Sequence, residues 1–172
     1  DRPMIPASTL KLVTALAALE RWGTDHHFAT NFFFDDKALW IKGKGDPFLV
    51  SEELDLIVAA LKQRGLKRVE AIFTDASLYA DDLRIDGRSN SDNPYDAPLS
   101  ALAANFNTVN YKTSGNRIVS AESQTPLTPL AKTLAEAHAK KKRRGRVNLV
   151  KQENGPRYFA ELLAVKLRLA GI

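Results

Sequence analysis

The chain has 172 residues, 44% hydrophobic and 26% charged, with 25 Lys and Arg against 20 Asp and Glu and no cysteine. This is a globular mixture of a size for one domain or two small ones, and without thiols it excludes disulfide frameworks, zinc ribbons and cysteine nucleophiles. No run reaches the ~18 consecutive apolar residues of a membrane span, and Asp1-Arg2-Pro3 opens no signal-peptide pattern.

Residues 6–22 read as a helix: Pro6 suits its first turn, Gly23 follows its last apolar residue, and no Gly or Pro intervenes. From Leu12 to Leu19 it carries no charge, and Leu12, Val13, Ala15, Leu16, Ala17, Ala18 and Leu19 nearly fill the interval. A helix apolar on all sides belongs inside a protein, and this chain offers few elements to cover it. Residues 28–34 and 38–42 read as strands around the Asp35-Asp36-Lys37 turn. A helix over 52–64 is expected, with Ser51 as N-cap, a Leu54, Ile57, Val58, Leu61 stripe, and Gly65 at its end. Residues 68–74 alternate as a strand does, and 79–98 read as a long polar loop. A strand pair is expected over 105–112 and 117–121, then a helix over 129–139, a strand over 146–150 and an amphipathic helix over 157–169.

Charge is concentrated in one place. Lys140, Lys141, Lys142, Arg143, Arg144 and Arg146 supply six cations, and without them the balance is 19 positive against 20 negative. Nucleic-acid readers spread cations along a groove with interleaved aromatics, and no aromatic lies between Ala139 and Val147. A nucleic-acid partner is therefore not expected. The simplest reading is a solvated loop after a helix C-terminus; contact with another polyanion is the alternative.

The sharpest chemical feature is Ser8-Thr9-Leu10-Lys11, an S-x-x-K at the start of the apolar helix. The i, i+3 spacing puts hydroxyl and amine on one helix face. The N-terminal dipole disfavours an ammonium and favours an alkoxide there, and burial among apolar neighbours also disfavours the charged amine. A neutral Lys11 then takes the Ser8 proton and leaves a nucleophile for acyl transfer. The alternative is a serine cap beside a lysine reaching to solvent. Other groupings carry less. His26 and His27 point to opposite sides of an extended segment, His138 is remote, and no metal site or cofactor is expected. Gly43-Lys44-Gly45-Asp46 lacks phosphate-loop spacing. Ser91-Asp92-Asn93 spells S-D-N, and Lys112-Thr113-Ser114-Gly115 nearly spells K-T-G, the companions of S-x-x-K in penicillin-interacting enzymes.

The stretch from Ile5 to Leu19 closely resembles the active-site helix of penicillin-binding protein 4 type D-Ala-D-Ala carboxypeptidases/endopeptidases. Gly45-Asp46-Pro47, Asn93-Pro94-Tyr95-Asp96-Ala97-Pro98, Ser100-Ala101-Leu102 and Asn105-Phe106-Asn107 follow in the family's order. Tyr158-Phe159-Ala160-Glu161-Leu162-Leu163 through Leu169-Ala170-Gly171-Ile172 is similar to the helix returning to its catalytic domain. The resemblance implies an α+β chain: a fragment of a β-lactamase/transpeptidase-like fold carrying a compact inserted α+β domain. Residues 1–23 would be the nucleophile-helix piece, 24–157 the insertion and 158–172 the returning helix.

It further implies an acyl-enzyme on Ser8 with Lys11 as base, Tyr95 as a weaker substrate contact, and periplasmic action on peptidoglycan stem peptides with β-lactams as covalent inhibitors. In that family the working S-x-N and K-T-G elements follow the returning helix, so Ser91–Asn93 and Lys112–Gly115 are not expected to be catalytic. The chain is accordingly expected to be part of a longer protein and nearly inert alone. The other classes left open are a non-catalytic module that binds peptidoglycan or a partner, and a polyanion binder acting through 140–146.

Overall fold

Residues 4–80, 83 and 85–172 are described by a computed structural model of the protein. Strand β1 (Thr30–Phe34) and strand β2 (Ala38–Gly43) form the expected antiparallel hairpin. Its turn is an Asx turn: the Asp35 Oδ1 accepts the Lys37 and Ala38 N–H groups, each at 2.8 Å. Those bonds, Lys37 first, hold the Asp35 carboxyl below the usual carboxylate range. Along β2, Leu39 and Ile41 are buried while Trp40 and Lys42 face out. One face of this sheet is therefore core.

Strand β3 (Ala71–Asp75) runs parallel to β2. A parallel neighbour needs a crossover, and helix α2 (Ser51–Gln63) provides it. Leu54, Val58 and Leu61 are buried on α2 and Ile57 partly so. Gly65, at φ +100°, takes the left-handed conformation after the helix end. Ser51 is not the N-cap expected of it: it is the first helical residue, and its buried hydroxyl lies 2.8 Å from Thr125 Oγ1.

Lys42 and Asp75 are register partners on β2 and β3, with Lys42 Nζ 3.2 Å from Asp75 Oδ2. The Ser77 hydroxyl, the Ser77 N–H (2.9 Å) and then Lys42 lower the Asp75 pKa from 3.8 to about 2. A carboxyl depressed in the folded state contributes stability that is complete above its unfolded value and fades as pH falls through the folded one. Asp75→Asn is therefore expected to flatten the loss of stability between pH 3.8 and about 2 and leave its shape near neutrality alone. Urea midpoints across that window check this; parallel curves for the two proteins would refute it.

The second sheet is antiparallel, in the order β5-β4-β6, from β4 (Thr108–Ser114), β5 (Arg117–Ser120) and β6 (Arg144–Asn148). Helix α3 (Pro129–Ala139) covers its inner face. The Thr128 hydroxyl caps α3 by accepting the Ala131 N–H, and Pro129 occupies the first turn. Helix α4 (Asn154–Leu169) begins three residues before the expected start and packs on α2, α3 and β3. It buries Tyr158, Phe159, Leu162, Leu163 and Leu167 in one core with Leu39, Leu54, Val109 and Val147. The division expected at 157/158 thus falls inside a helix whose apolar face belongs to this core. At its head, a Cβ on Gly155 would sit 2.8 Å from the Ser100 Cβ, so the approach of helix to loop requires glycine.

Helix α1 (Leu10–Trp22) differs. It follows a 3-10 turn over Ala7–Thr9, and Gly23 (φ +75°) ends it by donating to the Leu19 carbonyl at 2.8 Å. No residue of α1 is buried, and only Ala18 is partly covered. Leu12 is 74% exposed, and Leu10, Val13, Leu16, Leu19 and Trp22 are all more than half exposed. The apolar sequence asked for neighbours; in this chain the helix stands in solvent. Among the described residues no helix is long and apolar enough to cross a membrane. The architecture is α+β.

Candidate active site

Ser8 lies in the 3-10 turn and Lys11 in the first turn of α1, both exposed. Three residues make one 3-10 turn, so positions i and i+3 stack across this junction. The turn is fixed from behind: the Pro6 carbonyl accepts both the Thr9 N–H (3.0 Å) and the Thr9 hydroxyl. Immediately before the serine, Ala7 has φ +46°, a left-handed conformation that costs a non-glycine residue energy and gathers at functional sites. Neither the Ser8 hydroxyl nor the Lys11 amine makes a hydrogen bond or ion pair among the described residues. The expected burial of Lys11 is absent because no described residue covers this face of α1.

Tyr95 belongs to the long loop expected over 79–98, of which residues 81, 82 and 84 lie outside the described set. It stands in a 3-10 turn over Pro94–Asp96, with Asn93 Oδ1 capping its N–H at 3.0 Å. Asp96 is the hub: Oδ2 accepts the Ser91 hydroxyl, Oδ1 the Ser89 N–H at 2.8 Å, and the backbone carbonyl Arg88 Nε at 2.8 Å. The Ser91 hydroxyl first, then the Ser89 N–H and the Arg88 charge, hold the Asp96 carboxyl below the usual carboxylate range. Asn148 of β6 anchors the same loop, donating through Nδ2 to the Ser91 and Asn93 carbonyls at 2.9 and 2.6 Å. These bonds tie the loop to itself and to β6, and the Tyr95 ring, 97% exposed, stands out into solvent. No hydrogen bond joins Tyr95 to Ser8 or Lys11 among the described residues.

Ser91-Asp92-Asn93 is spent on this loop, and Lys112, Thr113 and Ser114 form the end of β4. His26 stacks on Trp22 at 5.0 Å between centroids, and His27 Nδ1 meets the Asp25 carbonyl at 2.8 Å. Two polar groupings are missed by the sequence reading. In one, Tyr111 Oη donates to the Lys142 carbonyl (2.9 Å) and lies 2.7 Å from His138 Nδ1, whose Nε2 is 3.7 Å from Asp92. In the other, Asn105-Phe106-Asn107 has three consecutive left-handed residues, φ +49°, +58° and +52°. Asn105 pins this turn to α2 by accepting the Ser51 N–H at 2.9 Å. Nearby, burial pushes the Tyr158 hydroxyl up to about 12. The asparagines were a signal, since Asn tolerates the left-handed region; Phe106 between them was not.

Comparison with known proteins bears on this arrangement. The model of the D-Ala-D-Ala carboxypeptidase 3 (S13) family matches residues 1–172. A D-alanyl-D-alanine carboxypeptidase of Actinomadura sp. (strain R39) is 34% identical over 110 residues, 58% of this chain and 20% of that protein. Penicillin binding protein 4 from Haemophilus influenzae superposes with TM-score 0.66 at 20% identity, covering 98% of this chain and 46% of that one. The same protein complexed with a novel β-lactam gives TM-score 0.58 at 19% identity, over 98% and 44%. The chain thus shares their fold and spans less than half the length of these proteins.

Proposed function

This chain belongs to the D-Ala-D-Ala carboxypeptidase 3 (S13) family, and from that premise we propose that Ser8 is the nucleophile and Lys11 the general base of a penicillin-binding serine carboxypeptidase/endopeptidase. The observation that carries the reading is an S-x-x-K at the head of an apolar helix that has no cover of its own. A helix of that composition is stable in water only at a cost of exposed apolar surface. A catalytic domain closed over α1 would remove that surface from water, desolvate Lys11 and aim Ser8 into a cleft.

In that setting the neutral amine accepts the Ser8 proton as Oγ attacks the carbonyl carbon of a terminal D-Ala-D-Ala bond. The proton then passes to the departing D-Ala amine, and water hydrolyses the acyl-enzyme. A β-lactam carbonyl would be attacked in the same way. We assign residues 1–23 to the catalytic domain, 24–157 to an inserted domain and 158–172 to the link back, α4 serving both through its two faces. Tyr95, carried outward on its tied loop, is the substrate contact from the insertion. Peptidoglycan stem peptides are the substrate class and the periplasm the place of action.

A fluorescent penicillin followed by intact mass tests the reading. In a chain of full family length carrying these residues, one adduct is expected on Ser8 and none in Ser8→Ala; a clean absence of adduct before mutation would sink the proposal. The 172 residues alone are expected to stay unlabelled. Their Ser8 stands in water, whereas acyl transfer needs fixed donors where negative charge develops.

A further inference from the structure

The basic block is not a free loop. Arg144 and Arg146 lie on β6, an edge strand paired among the described residues to β4, and their outward face is set by buried Val147 and, on β4, buried Val109 and Tyr111. Register places Lys112 directly opposite Arg144, both exposed. Like charges so placed repel and destabilise the sheet, and none of the cations from Lys140 to Arg146 has an ion-pair partner among the described residues. Glu122, the carboxylate reached by Asn110 on this face, is turned to Asn110 Nδ2 (3.1 Å) and the Thr125 hydroxyl (3.2 Å).

Two of the arginines are held in place from the protein side. Arg146 Nε donates to Thr108 Oγ1 at 2.7 Å, and Arg143 Nε to Thr113 Oγ1 at 3.3 Å. Binding through Nε fixes the guanidinium plane and leaves the two terminal nitrogens without a partner among the described residues, a fork of the kind that matches a phosphate. The Arg146 guanidinium also lies 5.7 Å from the centroid of the Phe106 ring, which the left-handed Asn105–Asn107 turn presents and which meets Phe48 edge-on at 6.2 Å. Pre-orientation of this kind lowers the ordering cost of binding.

We propose that the outer face of the second sheet binds a linear phosphodiester polymer of the poly(glycerol phosphate) type. Arg144 and Arg146, two residues apart on one strand, are separated by roughly 7 Å, close to the step between successive phosphates joined through three carbons. Lys112, opposite Arg144, widens the row on the same face, while Arg143, bonded to Thr113, lies on the other side of the sheet. On this face the positions of β4 and β6 (Thr108, Asn110, Lys112, Arg144, Arg146 and Asn148) carry no aromatic on which successive bases could stack, so a ring-free polyol phosphate suits this surface better than a single-stranded nucleic acid. This inference rests on the sheet alone and is independent of chemistry at Ser8.

The test is fluorescence anisotropy of the 172-residue chain with end-labelled poly(glycerol phosphate) over a range of salt. Lys112→Gln/Arg144→Gln/Arg146→Gln is expected to weaken binding at least about tenfold and to flatten the dependence of log K on log salt by about 2, at ~0.7 for each phosphate no longer neutralised. Arg21→Gln/Lys44→Gln/Lys67→Gln removes as much charge elsewhere from exposed positions and is expected to leave affinity within about twofold. Equal weakening by both triples would reduce the effect to net charge and overturn the proposal. No binding, tighter binding of oligothymidylate of equal phosphate content, or preference for phosphatidylglycerol vesicles would each overturn it as well.

Discussion

Phe159→Ala is expected to destabilise this chain by about 3–5 kcal/mol and to lower Tm by roughly 10 °C, whereas Leu12→Ala should change stability by less than about 0.5 kcal/mol. The two residues sit in helices that differ in cover. Phe159 is fully buried on α4, where α2, α3 and β3 meet, so truncation loses transfer free energy and leaves a cavity that packed neighbours cannot close. Leu12 already faces water on α1, so its truncation changes almost no buried surface. Urea or thermal unfolding of the two variants decides the matter. In a chain of full family length the contrast should shrink, because the proposed catalytic domain would bury Leu12. A large loss for Leu12→Ala in the 172-residue chain would mean that α1 packs against it in solution.

Where an element's cause was local, the residues announced it. Helix α3 spans the expected 129–139 because Thr128 caps it and Pro129 fits its first turn. The β1–β2 hairpin forms because Asp35 closes its own turn. Ser51 shows the limit: its type and position fit an N-cap, yet its hydroxyl is drawn to Thr125, 74 residues away. A non-local partner of that kind leaves no trace in a local window. The parallel pairing of β2 with β3 and the left-handed Asn105–Asn107 turn are hidden for the same reason.

The candidate site divides likewise. The spacing of Ser8 and Lys11 is a local fact, and the structure keeps them on adjoining turns. Their environment is not local. Apolar periodicity says that α1 seeks cover, but not which polypeptide supplies it. Tyr95 stands out by its motif; what displays it is the bonding of its loop through Asp96 and to Asn148, 53 residues on from Tyr95. In the basic block, the local sequence holds no aromatic, while strand pairing and a left-handed turn bring Phe106 to Arg146.

In a chain of full family length, Lys11→Ala is expected to slow acylation of Ser8 by about 10²–10⁴, measured as the rate of adduct formation with a labelled penicillin. Lys11→Arg separates base from charge. Arginine keeps the cation and comparable reach, but it does not give up a proton at any working pH. If Lys11 takes the Ser8 proton, the arginine variant should be as slow as the alanine one. If Lys11 only attracts an anionic substrate, arginine should restore most of the rate, and the assignment of Lys11 as base would fall.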